Sequence, residues 1–203
     1  YKELPQKNID TGMGLERLVC LIQDGETNFD TDLFLPIIHA TEQYAKHPYS
    51  EKEYKMAYRV IADHIRTVTF AIADGAMFSN EGRGYVLRRV LRRAVRYGIK
   101  LGIDGAFMYK LVKVVADNMI AYYPYVQEKV ALIEKLVKQE EESFHKTLAN
   151  GEALLQDALA EHADTKILPG EVMFKLYDTY GYPKELTTEI AEEEGYRVDS
   201  EGF

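Results

Sequence analysis

Residues 79–98 read Ser79-Asn-Glu-Gly-Arg-Gly-Tyr-Val-Leu-Arg-Arg-Val-Leu-Arg-Arg-Ala-Val-Arg-Tyr-Gly98, and this stretch carries six of the chain's ten arginines. At about 100° per residue along a helix, its aliphatic residues gather on one side and most of its arginines on the other. The aliphatic positions are Val86, Leu87, Val90, Leu91, Ala94 and Val95, and the arginines opposite them are Arg88, Arg89, Arg92, Arg93 and Arg96. The stretch therefore predicts a helix that seals a core with one face and presents a row of guanidinium groups with the other.

Such a row of cations suits a phosphate backbone, because each guanidinium offers paired donors to phosphate oxygens. A charged face that only meets solvent usually mixes both signs, whereas no acid occurs between Glu81 and Asp104. The chain has a net charge of −8 and residues 83–100 carry +7, so the remainder carries −15. An acidic body with one basic stripe repels polyanions in general and accepts them at one place. The charge pattern thus favours a selective nucleic-acid partner.

The composition is that of a globular protein of one or two domains. Hydrophobic residues make up 46% of the 203 positions, and no apolar run approaches the roughly 18 residues that a membrane span needs. Because no signal peptide is visible either, we expect a cytoplasmic protein with no membrane partner. The single Cys20 excludes an internal disulfide and a clustered-cysteine zinc site, and the histidines show no metal-ligand spacing. No metal site is expected.

Hydrophobic spacing predicts a mainly α fold in which five or more helices pack as a bundle-like domain. A strand end is predicted before Gly12, and residues 195–199 are compatible with one short strand. Besides the arginine helix, the predicted helices span 15–22, 33–44, 51–73, 104–122, 126–150, 171–180 and 185–194. Gly151 either ends the helix that starts at residue 126 or lies inside it, because leucines resume the pattern beyond it.

Several polar and aromatic side chains in these helices are interpreted as structural. The run Glu140-Glu-Glu142 is most simply a solvated face, and His64 is expected in the core beside Asp63. Three tyrosines near the C-terminus are typical of a core, although they have the chemistry to stack on a base. These are Tyr177, Tyr180 and Tyr182.

A glycine turn precedes the first predicted helix, in Asp10-Thr-Gly-Met-Gly-Leu-Glu-Arg17. Two glycines two positions apart let a flat or charged ligand approach the backbone where a side chain would collide. Arg17 follows at the start of the helix, where it can reach over the same spot, so an anion or a nucleotide is a candidate ligand. The turn lacks the spacing and the Lys-Ser/Thr pair of a P-loop, and a turn of this kind is also common as a purely structural feature.

The string Gly12-Met-Gly-Leu-Glu-Arg17 resembles motif 3 of the class II aminoacyl-tRNA synthetases. Extended to Asp10 and Leu18, it is similar to the form of motif 3 in the alanyl-tRNA synthetase family. Three further strings resemble the same family in the same order. They are Ala62-Asp-His-Ile-Arg66 with Ala73-Asp-Gly75, then Asn80-Glu-Gly-Arg-Gly-Tyr-Val-Leu-Arg-Arg-Val-Leu-Arg-Arg-Ala-Val-Arg96, and finally Leu176-Tyr-Asp-Thr-Tyr-Gly-Tyr-Pro183. The resemblance spans nearly the whole chain.

The resemblance implies that residues 1–28 are the C-terminal end of the class II catalytic α/β domain, a short strand–turn–helix remnant that carries motif 3. Residues 29–203 would be a helical domain that recognises the tRNA acceptor stem, truncated at its C-terminus. The parent would be an alanine–tRNA ligase that activates alanine with ATP and Mg²⁺ and transfers it to tRNA-Ala. Motifs 1 and 2 and the zinc ligands of the family's editing domain do not occur in the sequence. The isolated chain is therefore expected to be inactive and to bind no cofactor tightly.

The resemblance also implies roles for single residues around the glycine turn. Asp10 would hold the α-ammonium group of alanine through a charge-assisted contact. Gly12 and Gly14 would form the floor under the substrate and the adenine. Arg17 would contact the ATP phosphates and stabilise the charge that develops on the leaving pyrophosphate.

In the helical part, Asn80 and Asp178 match the family positions that read a G·U wobble pair in the acceptor stem. Such a pair leaves the guanine 2-amino group unpaired in the wide minor groove of RNA, where a side-chain oxygen can accept from it. The arginines would follow the phosphates of the stem, which positions the RNA without specifying its sequence. They are Arg83, Arg88, Arg89, Arg92, Arg93 and Arg96.

DNA is not an expected partner. Two readings without catalysis stay open. One is an RNA-binding module in which the glycine turn is only structural. The other is a structural helical domain whose arginines pair with its own acids.

Overall fold

The computed structural model describes residues 5, 6, 8, 11–180 and 182–203. Within these residues the chain forms nine α-helices and one two-stranded sheet. In chain order the elements are α1 (Leu15–Ile22), α2 (Leu35–Glu42), α3 (Lys55–Ala73), α4 (Gly82–Lys100), α5 (Met108–Met119), α6 (Pro124–Glu128), α7 (Val130–Glu161), β1 (Ile167–Leu168), α8 (Gly170–Tyr180), α9 (Lys184–Glu193) and β2 (Arg197–Val198). The predicted mainly α fold is confirmed.

The core lies between α3, α4, α5 and α7. The pair α3 and α4 is the most extensive helix contact, and α5 packs against α7 and α3. Aliphatic side chains at helical spacing face this core, for example Ile61 and Ile65 of α3 and Leu87 and Leu91 of α4. One contiguous cluster of buried side chains joins α2 to α9, whereas α1 contributes no buried side chain. Of the predicted aliphatic face of the arginine helix, Leu87, Leu91, Ala94 and Val95 are buried and Val90 is partly buried, whereas Val86 is 55% exposed.

The C-terminal part adds a small unit against this core. Strands β1 and β2 pair in parallel, with Ile167 opposite Arg197 and Leu168 opposite Val198. Helices α8 and α9 connect the two strands, and α9 packs on α8 and β2. The short strand predicted within residues 195–199 is confirmed by β2, and the unit brings α9 alongside α4.

Of the two alternatives for Gly151, the structure has the one in which the glycine lies inside the helix, since α7 spans 32 residues from Val130 to Glu161. A Cβ atom on Gly151 would lie 2.6 Å from Cδ2 of Tyr182, whose ring is fully buried. A glycine inside a helix costs about 1 kcal/mol relative to alanine. Here the missing side chain makes room for an aromatic ring that follows α8, so the glycine serves long-range packing.

The expectation that the acids of residues 140–142 form a solvated face is wrong for two of the three. Glu140 and Glu141 are buried, and only Glu142 is exposed. Glu141 accepts hydrogen bonds from the backbone amides of Phe107 and Met108, at 2.8 and 3.1 Å. Because the first amides of a helix lack partners inside it, an acid of α7 here caps the start of α5.

At the N-terminus, Asp10 and the predicted strand residue Ile9 lie outside the described residues, and residues 11–14 form neither helix nor strand. The catalytic-domain remnant in residues 1–28 therefore stays a prediction. His64 lies as expected, with Nδ1 2.8 Å from Oδ2 of Asp63 and with most of its side chain buried.

Candidate nucleic-acid interface

The loop before α4 folds back onto the first turn of that helix. A Cβ atom on Gly84 would lie 2.3 Å from the carbonyl oxygen of Met77 and 2.4 Å from Oγ of Ser79. The hydroxyl of Ser79 donates to the carbonyl oxygen of Glu81 at 2.6 Å. These contacts hold Asn80, which lies between Ser79 and Glu81, in an exposed position at the N-terminal end of α4.

Arg88 contacts the side chain of Asn80 directly. Its Nη1 donates a hydrogen bond to Oδ1 of Asn80. A guanidinium group has only donors, so the oxygen of the carboxamide faces Arg88 and its nitrogen faces away. One lone pair of the oxygen that was expected to accept from guanine is thus already engaged within the protein.

Acids from two other helices run alongside the arginine row. From α7, Oε1 of Glu140 lies 3.0 Å from Nε of Arg88 and 2.8 Å from Nη2 of Arg92. Helix α9 supplies three more acids. The pairs are Arg89–Glu185 at 3.2 Å, Arg93–Glu189 at 3.7 Å, Arg96–Glu189 at 3.3 Å, Arg96–Glu193, and Lys100–Glu193 at 2.8 Å. Within the described residues four acids therefore face six cations, and most of the charge of the row is neutralised.

Solvent exposure divides the paired arginines into two groups. The side chains of Arg89 and Arg93 are 42% and 49% exposed, whereas those of Arg92 and Arg96 are 13% and 10% exposed. The guanidinium of Arg92 also lies over the ring of Phe144, 5.0 Å from its centroid, and burial lowers its pKa. Arg89 and Arg93 can reach a ligand at the surface, while Arg92 and Arg96 tie α4 to its neighbours.

Arg83 differs from all of these. It lies in the first turn of α4, is exposed, and has no acidic partner among the residues that the structure describes. It also lines a surface cleft together with Asp74, Gly75 and Met77. Its charge is therefore available to a ligand beside Asn80.

Asp178 lies on the exposed face of α8 and forms no ion pair within the described part of the chain. The turn after it is anchored, because the amide of Tyr182 donates to the carbonyl oxygen of Leu176 at 2.9 Å and the ring of Tyr182 is buried. The core position expected for Tyr182 is confirmed, whereas Tyr177 is 43% exposed.

The start of α4 also contacts α9, through Tyr85. Burial, the carboxylate of Glu185 and, to a smaller extent, the neighbouring Tyr177 raise the pKa of Tyr85 on α4. The hydroxyl of Tyr85 lies 3.2 Å from Oε2 of Glu185, to which it donates. Tyr85 thus links α4 to α9.

The glycine turn leaves open space around it. A Cβ atom on Gly12 would meet nothing within 4 Å, and one on Gly14 would meet only atoms at 3.8 Å or more. Packing within the described residues therefore does not require glycine at either position. Asp10, the third residue expected at this site, lies outside the described residues.

The helix after the turn places its two charged residues differently. Glu16 forms a 2.8 Å ion pair with Arg66 of α3, and backbone hydrogen bonding at the helix start together with Arg66 lowers its pKa. Arg17 is exposed and forms no ion pair with the residues that are described. Glu16 thus anchors α1 through Arg66, and it forms no ion pair with Arg17.

Three general properties complete the description. Five apolar side chains on or beside α1 are exposed, namely Met13, Leu15, Leu18, Leu21 and Ile22. In the part of the chain that is described, no three His, Cys, Asp or Glu residues come together in a way that would hold a metal ion. No helix there is both long and apolar enough to cross a membrane.

The comparison with known protein families covers the complete sequence. Residues 1–203 match the family described as tRNA synthetases class II (A). The chain belongs to this family. Among the similar proteins are three alanine–tRNA ligases: that of Halalkalibacterium halodurans is 57% identical over 206 aligned positions, that of Enterococcus faecalis 56% over 211, and that of Geobacillus kaustophilus 58% over 206. Each alignment covers 100% of this chain and 23–24% of the relative, so this synthetase chain spans about a quarter of the length of those enzymes.

Sequence reasoning left open that the arginines pair with the chain's own acids, but it did not identify which acids face the arginine row. Glu185, Glu189 and Glu193 recur every four residues on α9, and Arg89, Arg93 and Arg96 recur at similar spacing on α4. This shared period was a usable signal that two helices pair their charges. Glu140 carried no such signal, because its position in an acidic run is typical of solvent.

Proposed function

We propose that the chain is the part of an alanine–tRNA ligase that joins the ATP and alanine site to the reader of the tRNA acceptor stem. The observation that carries this proposal is the identity of about 57% to alanine–tRNA ligases over the whole chain. In the longer enzyme the reaction is activation of alanine by ATP with Mg²⁺, followed by transfer to tRNA-Ala.

For the activation step, a nucleotide site is supported by the open glycine turn and by Arg17, which forms no ion pair with the described residues. A flat or anionic ligand can lie against Gly12 and Gly14 without displacing any described side chain. Arg17 would stabilise the charge that grows on the pyrophosphate as it leaves, and Asp10 would hold the ammonium group of alanine. Mg²⁺ would arrive with the ATP phosphates, since the described residues offer no cluster of metal ligands.

For the tRNA step, Asn80 and Asp178 are the proposed readers of a G·U pair, and the exposed arginines the proposed phosphate contacts. Arg83, Arg89 and Arg93 have the exposure that such contacts need. Asp178 is exposed and forms no ion pair with the described residues, so its carboxylate can accept from the guanine 2-amino group in the minor groove. Arg88, Arg92 and Arg96 hold α4 against α7 and α9 and contribute to the local positive field.

The activation role is tested by replacing Arg17 with alanine in the full-length enzyme. Alanine-dependent exchange of pyrophosphate into ATP should fall by roughly 10²–10³-fold, the size of losing one donor to a developing charge. Replacing Arg197, an exposed arginine of β2, provides a matched control that should leave exchange unchanged. Wild-type exchange in the Arg17→Ala enzyme would disprove the motif 3 assignment.

The tRNA role is tested by binding of the chain to two acceptor-stem hairpins that differ only in a G·U or a G·C pair. The chain should prefer the G·U hairpin, and Asn80→Ala or Asp178→Ala should remove the preference. Arg83→Ala should instead weaken both complexes alike, because a phosphate contact does not depend on sequence. Equal affinity of the wild-type chain for both hairpins would contradict the proposed readers.

A structural role for the arginine helix is the second candidate, and the acids of α7 and α9 favour it. Four carboxylates already neutralise most of the row, and two of its arginines are nearly buried. If this role is the only one, the chain will bind neither hairpin even at low salt, where phosphate contacts are strongest.

A further inference from the structure

Glu140 is the most unusual charged residue outside the expected sites. It is only 7% exposed, although it lies in the middle of an acidic run. Its Oε1 alone contacts three nitrogen atoms: Nε of Arg88 at 3.0 Å, and Nε and Nη2 of Arg92, both at 2.8 Å. A buried carboxylate is tolerated only when it is paired in this way, so its position is tightly defined by α4 and α7 together.

Arg88 carries this constraint to the surface. Its Nε lies 3.0 Å from Oε1 of Glu140 in an ion pair that is not aligned as a hydrogen bond, while its Nη1 donates to Oδ1 of Asn80. The guanidinium is a rigid plane, so an ion pair that restrains the group also restrains its other donors. Among the described residues, Arg88 is the hydrogen-bond partner of the Asn80 side chain. The loop holds the backbone of Asn80, but Arg88 determines how its carboxamide is turned.

We propose that Glu140 is a positioning residue for Asn80 and acts through Arg88. The buried acid holds the guanidinium, and the guanidinium occupies one lone pair of the Asn80 oxygen, so that the second lone pair has a fixed direction and can accept from the guanine 2-amino group. Preorganising a polar reader in this way increases the difference between matching and mismatching base pairs, because no rotamer has to be selected on binding. The inference deepens the proposed function and rests on Asn80 being a reader.

Arg88→Lys and Glu140→Gln test the proposal in the hairpin experiment. Lysine keeps the positive charge but cannot bridge Glu140 and Asn80, and glutamine keeps the shape of Glu140 but not its charge. Both variants should lower the preference for the G·U hairpin by about tenfold, the factor that corresponds to one well-placed hydrogen bond. Their affinity for the G·C hairpin should stay within about twofold of wild type, because the phosphate contacts remain.

Arg96→Lys and Glu189→Gln are the matched controls. Arg96 and Glu189 form an ion pair between α4 and α9, at 3.3 Å, and have no contact with Asn80. They should keep the wild-type preference even if thermal unfolding shows that they are less stable. A role of Glu140 in packing alone would lower stability without changing the preference.

A spectroscopic readout keeps the test independent of the RNA. The side-chain amide resonances of Asn80 should shift in Arg88→Lys and in Glu140→Gln, and stay in place in Arg96→Lys. Suppose that Asn80→Ala loses the preference but that Arg88→Lys keeps both the wild-type resonances and the wild-type preference. This result would overturn the inference. Equal binding of both hairpins by the wild-type chain would instead overturn the proposed function, and this inference with it.

Discussion

The two ends of α4 use the same residue type for different purposes. At the open end, residues 80–85, Asn80 and Arg83 are exposed and lie beside a loop that is locked onto the helix. Along the paired stretch, residues 88–100, every cation has an acid of α7 or α9 within reach. The difference shows that the role of an arginine in this helix depends on which neighbouring helix supplies an acid, since the helix itself is uniformly basic.

The largest loss of stability is expected from filling the space at Gly84, in the open end of α4. Gly84→Ala places a Cβ atom 2.3 Å from the carbonyl oxygen of Met77, so the loop has to move away from the helix. We expect a loss of about 2–3 kcal/mol in the free energy of unfolding, as for other overpacked sites.

Urea-induced unfolding measures this loss, and Gly12→Ala is the control, because its Cβ atom would meet no neighbour. Hairpin binding by Gly84→Ala should also lose its preference for G·U, because Asn80 moves with the loop. Wild-type stability together with wild-type preference would show that the loop is not locked in the way described.

The two buried acids of α7 have different partners. Glu140 contacts two arginines, whereas Glu141 accepts hydrogen bonds from backbone amides. Burial raises the pKa of Glu141 to about 7, against the lowering effect of the amides of Phe107 and Met108. The folded state therefore binds a proton more tightly than the unfolded state. The contribution of protonated Glu141 to the free energy of unfolding is fully present below the ordinary pKa of 4.5 and is lost as the pH rises through about 7.

Measured against Glu141→Gln, which does not titrate, the wild-type chain should lose about 2 kcal/mol of unfolding free energy between about pH 5 and pH 7.5. Urea titrations at both pH values give this difference. Glu142→Gln controls for the removal of a charge from the same acidic run, at an exposed position. A difference that does not change with pH would mean that Glu141 is ionised throughout this range.

Within the paired stretch, burial should separate two arginines that face the same acid. Both Arg93 and Arg96 pair with Glu189, but their side chains are 49% and 10% exposed. Arg96→Ala should lower the free energy of unfolding by about 1–2 kcal/mol, because it leaves carboxylates of α9 without their nearest partner. Arg93→Ala should change it by less than about 0.5 kcal/mol, as is usual for exposed ion pairs. Equal losses in the two variants would show that side-chain exposure does not determine how much each arginine contributes to the free energy of unfolding.

The smallest effect is expected from a single arginine of the open end. Arg83→Ala should leave stability unchanged and weaken binding to both hairpins by about threefold, with a salt dependence that is lower by about one phosphate contact. Fluorescence anisotropy over a range of salt concentrations provides both numbers. Unchanged binding would remove Arg83 from the interface and restrict phosphate contacts to Arg89 and Arg93.

Much of the fold followed from local patterns. The bounds of α1 were predicted to the residue, and the apolar stripes that predicted α3 and α4 are largely buried, with Val86 of α4 exposed. The role of Gly151 inside α7 could not be predicted locally, because the ring that needs its missing side chain belongs to Tyr182, which is distant in sequence. The acidic run of α7 was misplaced, because three adjacent acids on a helix look alike until the neighbouring helices are known.

The sequence by itself determined the family strings, the helical architecture, and the presence of one basic stripe on an acidic chain. Each of these depends on residue order or on the roughly 100° turn of a helix per residue, both of which are local. Only the tertiary structure decided which arginines lack an acidic partner among the described residues, that Glu140 is buried, and that Arg88 contacts Asn80. Those properties depend on how α4 lies against α7 and α9, and a charge is neutralised by whatever acid the packing brings within about 4 Å of it.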